Sequence, residues 1–520
     1  MAKYNIIPKP NKYISGDSTY AVSSKTNVLC SEEFVGAGNI ICDYLKTKPE
    51  ENEGAIKVTK VPGMEREAYT LKITNDGVFI SASDFAGAFY GAVTLKTILM
   101  QAKKQGGKAI LETLIIEDKP EIAYRGLMLD SCRHYFEADI IKDLLDNMAM
   151  LKINKLHWHL SEDQGYRIES KIYPQLNEIG SKRASRHLKG CGLEQDNVEY
   201  CRYYTQDEIK EIVQYAAKRN IEIIPEIDLP GHTMDFLASM PELSCTGEKV
   251  EVLSESGVSK AILCAGNEEV FTFLDNLLAE VCSLFPSKTF HIGGDEAFKG
   301  YKIWNECDKC KAKKAELNIK SSKDLQVWFM NRVTEILKKY GKTPIAWDDC
   351  ANDKLDTSVS TQLWQVSSIN EVRKQAKKRD IIVSPTSYFY FDYKFAVTPL
   401  RKTYSFNLAK IGLAGSEYRV KGMECEIWTE FIDGREALEF TTYPRLQAFS
   451  EVAWTKLENR NYKDFHKRLD WYKTYMKKKN INYSRVERVL FDAKIHNVFH
   501  CGFDGKEYKM SEKLKAKENN

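Results

Sequence analysis

Apolar and polar positions along this chain fall into two regimes. Residues 1 to 119 alternate short β-like runs, such as AYTLKITNDGVFISA, with one helix around 85 to 103. Alternation with a period of two marks half-buried strands, so this stretch predicts a small α+β domain. It holds no convergent chemistry. From about residue 120 the pattern becomes strand, loop and helix, repeated. The strand runs are AYRGLMLD (123 to 130), KINKLHWHL (152 to 160), IEIIPEID (221 to 228), TFHIGGDE (289 to 296), TPIAWDD (343 to 349), STQLWQV (360 to 366), DIIVSPTS (380 to 387) and MECEIWTE (423 to 430). Helical patterns lie between most of them. In TQDEIKEIVQYAAKRN, Thr205 and Glu208 form a capping box ahead of apolar residues at helical spacing.

Eight buried strands alternating with helices predict a (β/α)8 barrel. Only ten residues separate Asp349 from Ser360, so the helix after the fifth strand is missing or very short. A doubly wound open sheet is the structural alternative, but no GxGxxG follows the first strand. A last helix is expected through 435 to 456. Beyond it, residues 457 to 520 are Lys-rich and read as helices packed on the barrel, ending in a solvated tail. The division is therefore a supporting α+β domain (1–119), a catalytic barrel (120–456) and a C-terminal extension (457–520).

Bulk composition narrows the function. Lys plus Arg number 76 and Asp plus Glu 73 among 520 residues, a net charge of +3. That balance gives no reason to expect a nucleic acid or an acidic membrane as partner. The apolar run at 85 to 100 is interrupted by Lys96 and reads as a packed helix, not a membrane span. The N-terminal residues lack a signal pattern. Either the protein is cytoplasmic, or a signal was removed and a start Met added. The 13 cysteines are odd in number and scattered, which suits buried thiols better than a disulfide framework. Cys191 and Cys201 flank a loop and are candidates for pairing in an exported protein. Cys307 and Cys310 form a lone CxxC; with no second CxxC, no metal site is expected there.

Active sites of barrels sit at the C-terminal ends of the strands. Those ends carry Asp130 with Arg133, His159 with Asp163, Asp228 with His232, Asp295 with Glu296, Trp347, Trp364, Tyr390 with Asp392, and Trp428 with Glu430. Flat aromatic faces beside carboxylates suit a sugar, whose C–H face stacks on rings and whose hydroxyls donate to carboxylates. The segment TFHIGGDEAF (289 to 298) is the centre of this set. Two adjacent ionised acids repel, so one of Asp295 and Glu296 holds its proton to a higher pH and suits a general acid. Neighbours leaving one strand end reach a glycosidic bond from similar sides, unlike the opposed acid and nucleophile of an ordinary retaining glycosidase. The missing nucleophile can belong to the substrate, as the carbonyl oxygen of a 2-acetamido group. Asp295 then orients the acetamido nitrogen while Glu296 protonates the leaving oxygen.

The motifs RGLMLDSCRHYF, KLHWHLSEDQGYR, IPEIDLPGHT, HIGGDEAF, Tyr390-Phe-Asp392 and WTE resemble glycoside hydrolase family 20, the β-N-acetylhexosaminidases, over roughly residues 1 to 455. The resemblance implies a small α+β domain before a (β/α)8 barrel, and substrate-assisted, retaining removal of terminal β-linked GlcNAc or GalNAc. It implies Glu296 as acid/base, Asp295 as the acetamido-orienting acid and Tyr390 as a hydroxyl bonding the acetamido carbonyl. Trp347, Trp364 and Trp428 are implied as aromatic walls, Arg125 and Glu430 as holders of O3 and O4, and Asp392 as a group near O6. Asp228 and His232 are implied as supports of the acid, with the His oriented by a carboxylate, and Asp163 as a further pocket acid. Many relatives carry two consecutive Asp where this chain has Glu162-Asp163, and some carry Trp where Tyr404 aligns.

The resemblance requires no cofactor or metal. The expected partner is a glycan or small glycoside, and a homodimer stands as an open option. Release of a disaccharide, as by a lacto-N-biosidase, is the alternative within the family. Two readings come from other classes. His157-x-His159 with Asp228, His232 and His291 would suit a metal-dependent amidohydrolase, although H-x-H within a strand is a common same-face pair. A sugar-binding protein without turnover is the other, but both acids of the pair are present.

Overall fold

The computed structural model describes residues 3–50, 55–185, 198–255 and 257–485. Eight parallel strands close into a barrel. They are Tyr124–Asp130, Lys155–His159, Glu222–Glu226, Thr289–His291, Thr343–Trp347, Ser360–Leu363, Ile381–Val383 and Val420–Ile427. The eighth pairs with the first through Gly422 to Ile427 against Tyr124 to Leu129, which closes the ring and excludes the open sheet. All eight expected strands are present. The fourth is shorter than its apolar run, because Gly293 and Gly294 turn the chain at φ +60° and +105°. No α-helix follows the fifth strand; a single turn over Asp348–Cys350 fills the space. The capping box at Thr205 and Glu208 starts helix Gln206–Ala217 as expected.

Inward residues form layers along the barrel axis. Tyr124, Ile224, Ile345 and Ile382 make an apolar plug at the N-terminal end. Above it the interior is polar, with His157, Glu226, His291, Gln362 and Glu424 all buried. A barrel interior is usually filled by aliphatic side chains, so this polar layer marks the floor beneath the mouth.

Residues 3–50 and 55–119 contribute a mixed eight-stranded sheet. It carries two helices, Val35–Leu45 and Phe85–Gln101, not the one expected. The first has two glycines and no side-chain cap, so its sequence lacks helix signals. Its partner is capped by Asp84, which accepts from the Gly87 N–H at 2.7 Å. The expected helix over 435–456 is two, Arg435–Thr442 and Arg445–Trp454. Pro444 separates them, since it offers no N–H to continue the ladder. Helix Tyr462–Lys478 packs on the second through Arg468, which donates to both oxygens of Glu451 at 2.7 Å. The Lys-rich tail and Cys191 lie outside the described residues. Among the described residues no helix is long and apolar enough to cross a membrane.

Candidate active site

A cavity of about 410 Å³ opens at the C-terminal mouth. Its walls include Asp295, Glu296, His232, Tyr390, Asp392 and Glu430, with Trp347, Trp364 and Trp428. A cavity of about 500 Å³ at the opposite end is larger, but it exposes no paired acids beside aromatic faces. Chemistry, and not volume, locates the site.

The acid pair is placed by the glycine exit from the fourth strand. A Cβ on Gly293 would lie 1.6 Å from Asp228 Oδ1, so only glycine lets the chain pass that carboxylate. Asp228 Oδ1 then accepts the Gly294 N–H at 3.1 Å, and the Gln326 amide donates to the Gly294 carbonyl at 2.6 Å. Glu296 follows in a left-handed conformation, φ +48°. It is held by its own N–H on Asp349 Oδ1 at 3.4 Å and by Lys299 Nζ at 3.0 Å from Oε1. Strain of this kind persists only where surrounding contacts fix it, and it clusters at active sites.

One imidazole serves both acids. His232 Nε2 lies 3.6 Å from Asp295 Oδ2 and 3.7 Å from Glu296 Oε2. Its Nδ1 lies 2.6 Å from Glu162 Oε1. Burial disfavours the imidazolium, but Glu162 and then Asp295 outweigh it and hold His232 well above the ordinary histidine value. Burial pushes the Asp295 carboxyl up to about 7; His232 opposes the rise, while Asp349, Glu226 and Glu296 add to it. Asp295 thus holds its proton to a higher pH than a free carboxyl does.

The file of charges continues inward. Glu162 Oε2 lies 3.0 Å from both His159 Nε2 and Arg133 Nη2. Burial works against the charged form of Glu162, yet Arg133 and His232 hold its carboxyl well below the usual range. His159 Nδ1 meets Glu226, which also lies 3.0 Å from His157 Nε2 and 2.7 Å from His291 Nδ1. Despite burial, the carboxylates push His157 up to about 10 and His159 up to about 9. Each of these histidines, the ligand set of the amidohydrolase reading, is bonded to a carboxylate.

The far wall is aromatic. The Trp364 indole donates to Asp349 Oδ2 at 2.7 Å and stacks on Tyr390 with centroids 6.4 Å apart. Trp347 donates to Glu226 Oε1 at 3.0 Å and lies 6.0 Å from Trp428. Arg133 sits over Trp428 at 5.0 Å. Burial, then Glu430, holds Asp392 well above the ordinary carboxyl range. Four polar atoms of these wall residues have no hydrogen-bond partner among the described residues: Asp295 Oδ1, Asp392 Oδ1, His232 Nε2 and Arg133 Nε. Buried polar groups are nearly always paired, so these are set to bond a ligand.

Comparison with known proteins agrees with this geometry. The model of glycosyl hydrolase family 20, catalytic domain, matches residues 122–457, and that of the family's domain 2 matches residues 3–119. The chain belongs to glycosyl hydrolase family 20. A β-hexosaminidase of Porphyromonas gingivalis is 34% identical over 496 residues, covering 90% of this chain and 62% of that protein. The chain thus spans about three-fifths of that relative. The N-acetyl-β-hexosaminidase of Streptomyces plicatus, solved with thio-NAglucal, superposes with a TM-score of 0.80 at 30% identity, covering 92% and 96% of the two chains. The exo-β-N-acetylglucosaminidase of Vibrio harveyi, solved with N-acetylglucosamine, gives 0.81 at 26%, covering 92% and 78%.

Two expected site residues of this family-20 chain, Arg125 and Asp163, do not line the cavity. Arg125 is at the N-terminal end of the first strand, away from the cavity. Its guanidinium bonds Glu67 and Tyr90 at 2.8 Å and the carbonyls of Lys152, Ile122 and Ala123. Arg133, just past the end of the same strand, is the arginine at the mouth. Asp163 stands behind the cavity wall: its Oδ2 lies 3.7 Å from His232 Nδ1, and it accepts the N–H groups of Met234 and Ser259 at 3.2 and 2.8 Å. Asp228 supports the Gly294 backbone, and the carboxylate bonded to His232 is Glu162. The signal for Glu162 was its place beside His159 at a strand end. Tyr404 is also remote, donating to Glu451 at 2.8 Å behind the barrel.

Proposed function

We propose that this chain is a retaining exo-β-N-acetylhexosaminidase that uses the acetamido group of its substrate as nucleophile. The observation that supports it best is the shared wall: Asp295 and Glu296 lie within 3.7 Å of one His232 nitrogen. Sequence neighbours that leave one strand end and share one imidazole reach a glycosidic bond from the same side, which does not suit an opposed acid and nucleophile. Burial, then Glu430, pushes the Asp392 carboxyl up, which weakens it as a nucleophile and suits it to bonding a sugar hydroxyl.

In the first step Glu296 gives its proton to the glycosidic oxygen as the bond to C1 breaks. The acetamido oxygen closes on C1 to form an oxazolinium ion. Asp295, as carboxylate, accepts the N–H whose positive charge grows, and the Tyr390 hydroxyl donates to the acetamido oxygen. Trp347, Trp364 and Trp428 wall the N-acetyl arm and the sugar face. Arg133, Asp392 and Glu430 hold ring hydroxyls. Water then opens the ring on the opposite face, giving its proton to Glu296, so the anomeric configuration is retained.

The test is a panel of nitrophenyl sugars: β-GlcNAc, β-GalNAc, β-glucoside and β-lacto-N-bioside. Acetamido monosaccharides should react and the plain glucoside should not. Equal turnover of glucoside and N-acetylglucosaminide would sink the neighbouring-group step, and preference for the lacto-N-bioside would replace monosaccharide release by disaccharide release.

A further inference from the structure

Beside the mouth, four cysteines from three chain segments converge. Cys245 follows the turn Pro241–Leu243, Cys264 follows a bridge between Ser244 and Leu263, and Cys307 and Cys310 open helix Asp308–Glu316. Their sulfurs all lie within 4.8 Å of one another. The closest approaches are 3.8 Å for Cys245 to Cys310, 3.8 Å for Cys264 to Cys307 and 3.7 Å for Cys264 to Cys310. A zinc–thiolate bond of about 2.3 Å gives a tetrahedron whose edges are about 3.8 Å. A sequence reading that asks for a second CxxC misses this set, because Cys245 and Cys264 reach it from separate turns.

The surroundings favour bound thiolates. Cys307 stands at the N-cap of its helix, where the positive end of the helix dipole favours a thiolate. A Cβ on Gly266 would lie 2.2 Å from the Lys309 carbonyl carbon, so the chain past Cys264 must be glycine to press against the CxxC turn. Cys264 and Cys310 are fully buried, while Cys245 and Cys307 keep partial exposure, which leaves a route for the ion.

We infer that Cys245, Cys264, Cys307 and Cys310 bind one zinc ion as a closed, structural tetrathiolate site. Each thiol loses its proton to solvent on binding, and four protein ligands leave no open position for water or substrate. The ion ties together two segments that frame the acid pair. Leu263 N–H bonds the Pro230 carbonyl, two residues before His232, at 3.1 Å. The Trp304 indole, on the segment following Glu296, donates to the Leu263 carbonyl at 2.9 Å. Zinc here would hold the loop of His232 against the segment of Glu296.

The test uses the full chain purified under reducing conditions. Elemental analysis should find one zinc per chain, and X-ray absorption should show four sulfur neighbours at about 2.3 Å. Alkylation mapped by mass spectrometry should spare these four thiols until a chelator removes the metal, after which they react and the Tm falls. Cys310→Ser should lose the zinc and Cys282→Ser should keep it. If Cys310→Ser fails to fold, the metal content and thiol map of the unaltered chain still decide. No bound zinc after folding in its presence, or a disulfide among the four, overturns the assignment.

Discussion

Two arginines eight residues apart on one strand and its exit, Arg125 and Arg133, sit at opposite ends of the barrel and do opposite things. Both are buried, both pair with a glutamate, and both lie over a tryptophan, Trp454 and Trp428 respectively, at 5.0 Å. At the base, every guanidinium nitrogen of Arg125 bonds protein, so the residue has nothing left for a ligand. At the mouth, Arg133 keeps Nε unbonded and lines the cavity. The difference separates a cation that welds two domains from one poised for a substrate. Residue type and motif do not reveal which is which; unfilled bonding capacity facing a cavity does.

The comparison is sharpened first at the mouth, by removing the acid itself. Glu296→Gln should lower kcat on poor leaving groups by roughly 10²–10⁴-fold, the usual worth of general acid catalysis. Unimpaired steady-state turnover would take Glu296 out of that role. At the base, Arg125→Met leaves Glu67 buried without its cation, so denaturant unfolding should show a loss of about 3–5 kcal/mol with KM unchanged in the folded fraction. A rise in KM without loss of stability would return Arg125 to the substrate. Arg133→Ala should cost about 1.5–3 kcal/mol in kcat/KM, roughly 10- to 150-fold, as one charged hydrogen-bonding group is lost.

The smallest effect is in pH dependence. Asp295 must be ionised to accept the acetamido N–H, and its carboxyl is pushed up to about 7. The kcat/KM profile should therefore rise with pH through about 7 on its acid side. His232 holds that value down, so His232→Asn should move the acid limb to higher pH. A limb that stays in place would detach Asp295 from it.

Much of this was legible in the chain, for physical reasons. Parallel strands covered on both faces read as apolar runs, and each ends where polar residues begin, so both the barrel and its mouth follow. Strand-end placement pointed to Arg133, and the resemblance of the RGLMLD motif drew attention to Arg125 instead. Partners across space were less legible. Asp228 is the nearest strand-end acid before His232 in sequence, yet His232 sits at φ +54° and its ring meets Glu162 from the neighbouring strand. Helix Val35–Leu45 was missed because packing, and not caps or propensity, sustains it. The four-cysteine cluster was missed because its members share no period.

The file of carboxylates and imidazoles starts on strand residues, Glu226 and His159, and reaches Asp295 through Glu162 and His232 on the turns just past two strand ends. Grafting rim loops from another barrel onto this scaffold would change which sugar is held. Proton affinity at Asp295 would stay behind only where the turns bearing His232 and Asp349 were kept. Redesign of specificity and redesign of operating pH therefore meet at His232, which borders the hollow and also tunes the neighbouring carboxyl.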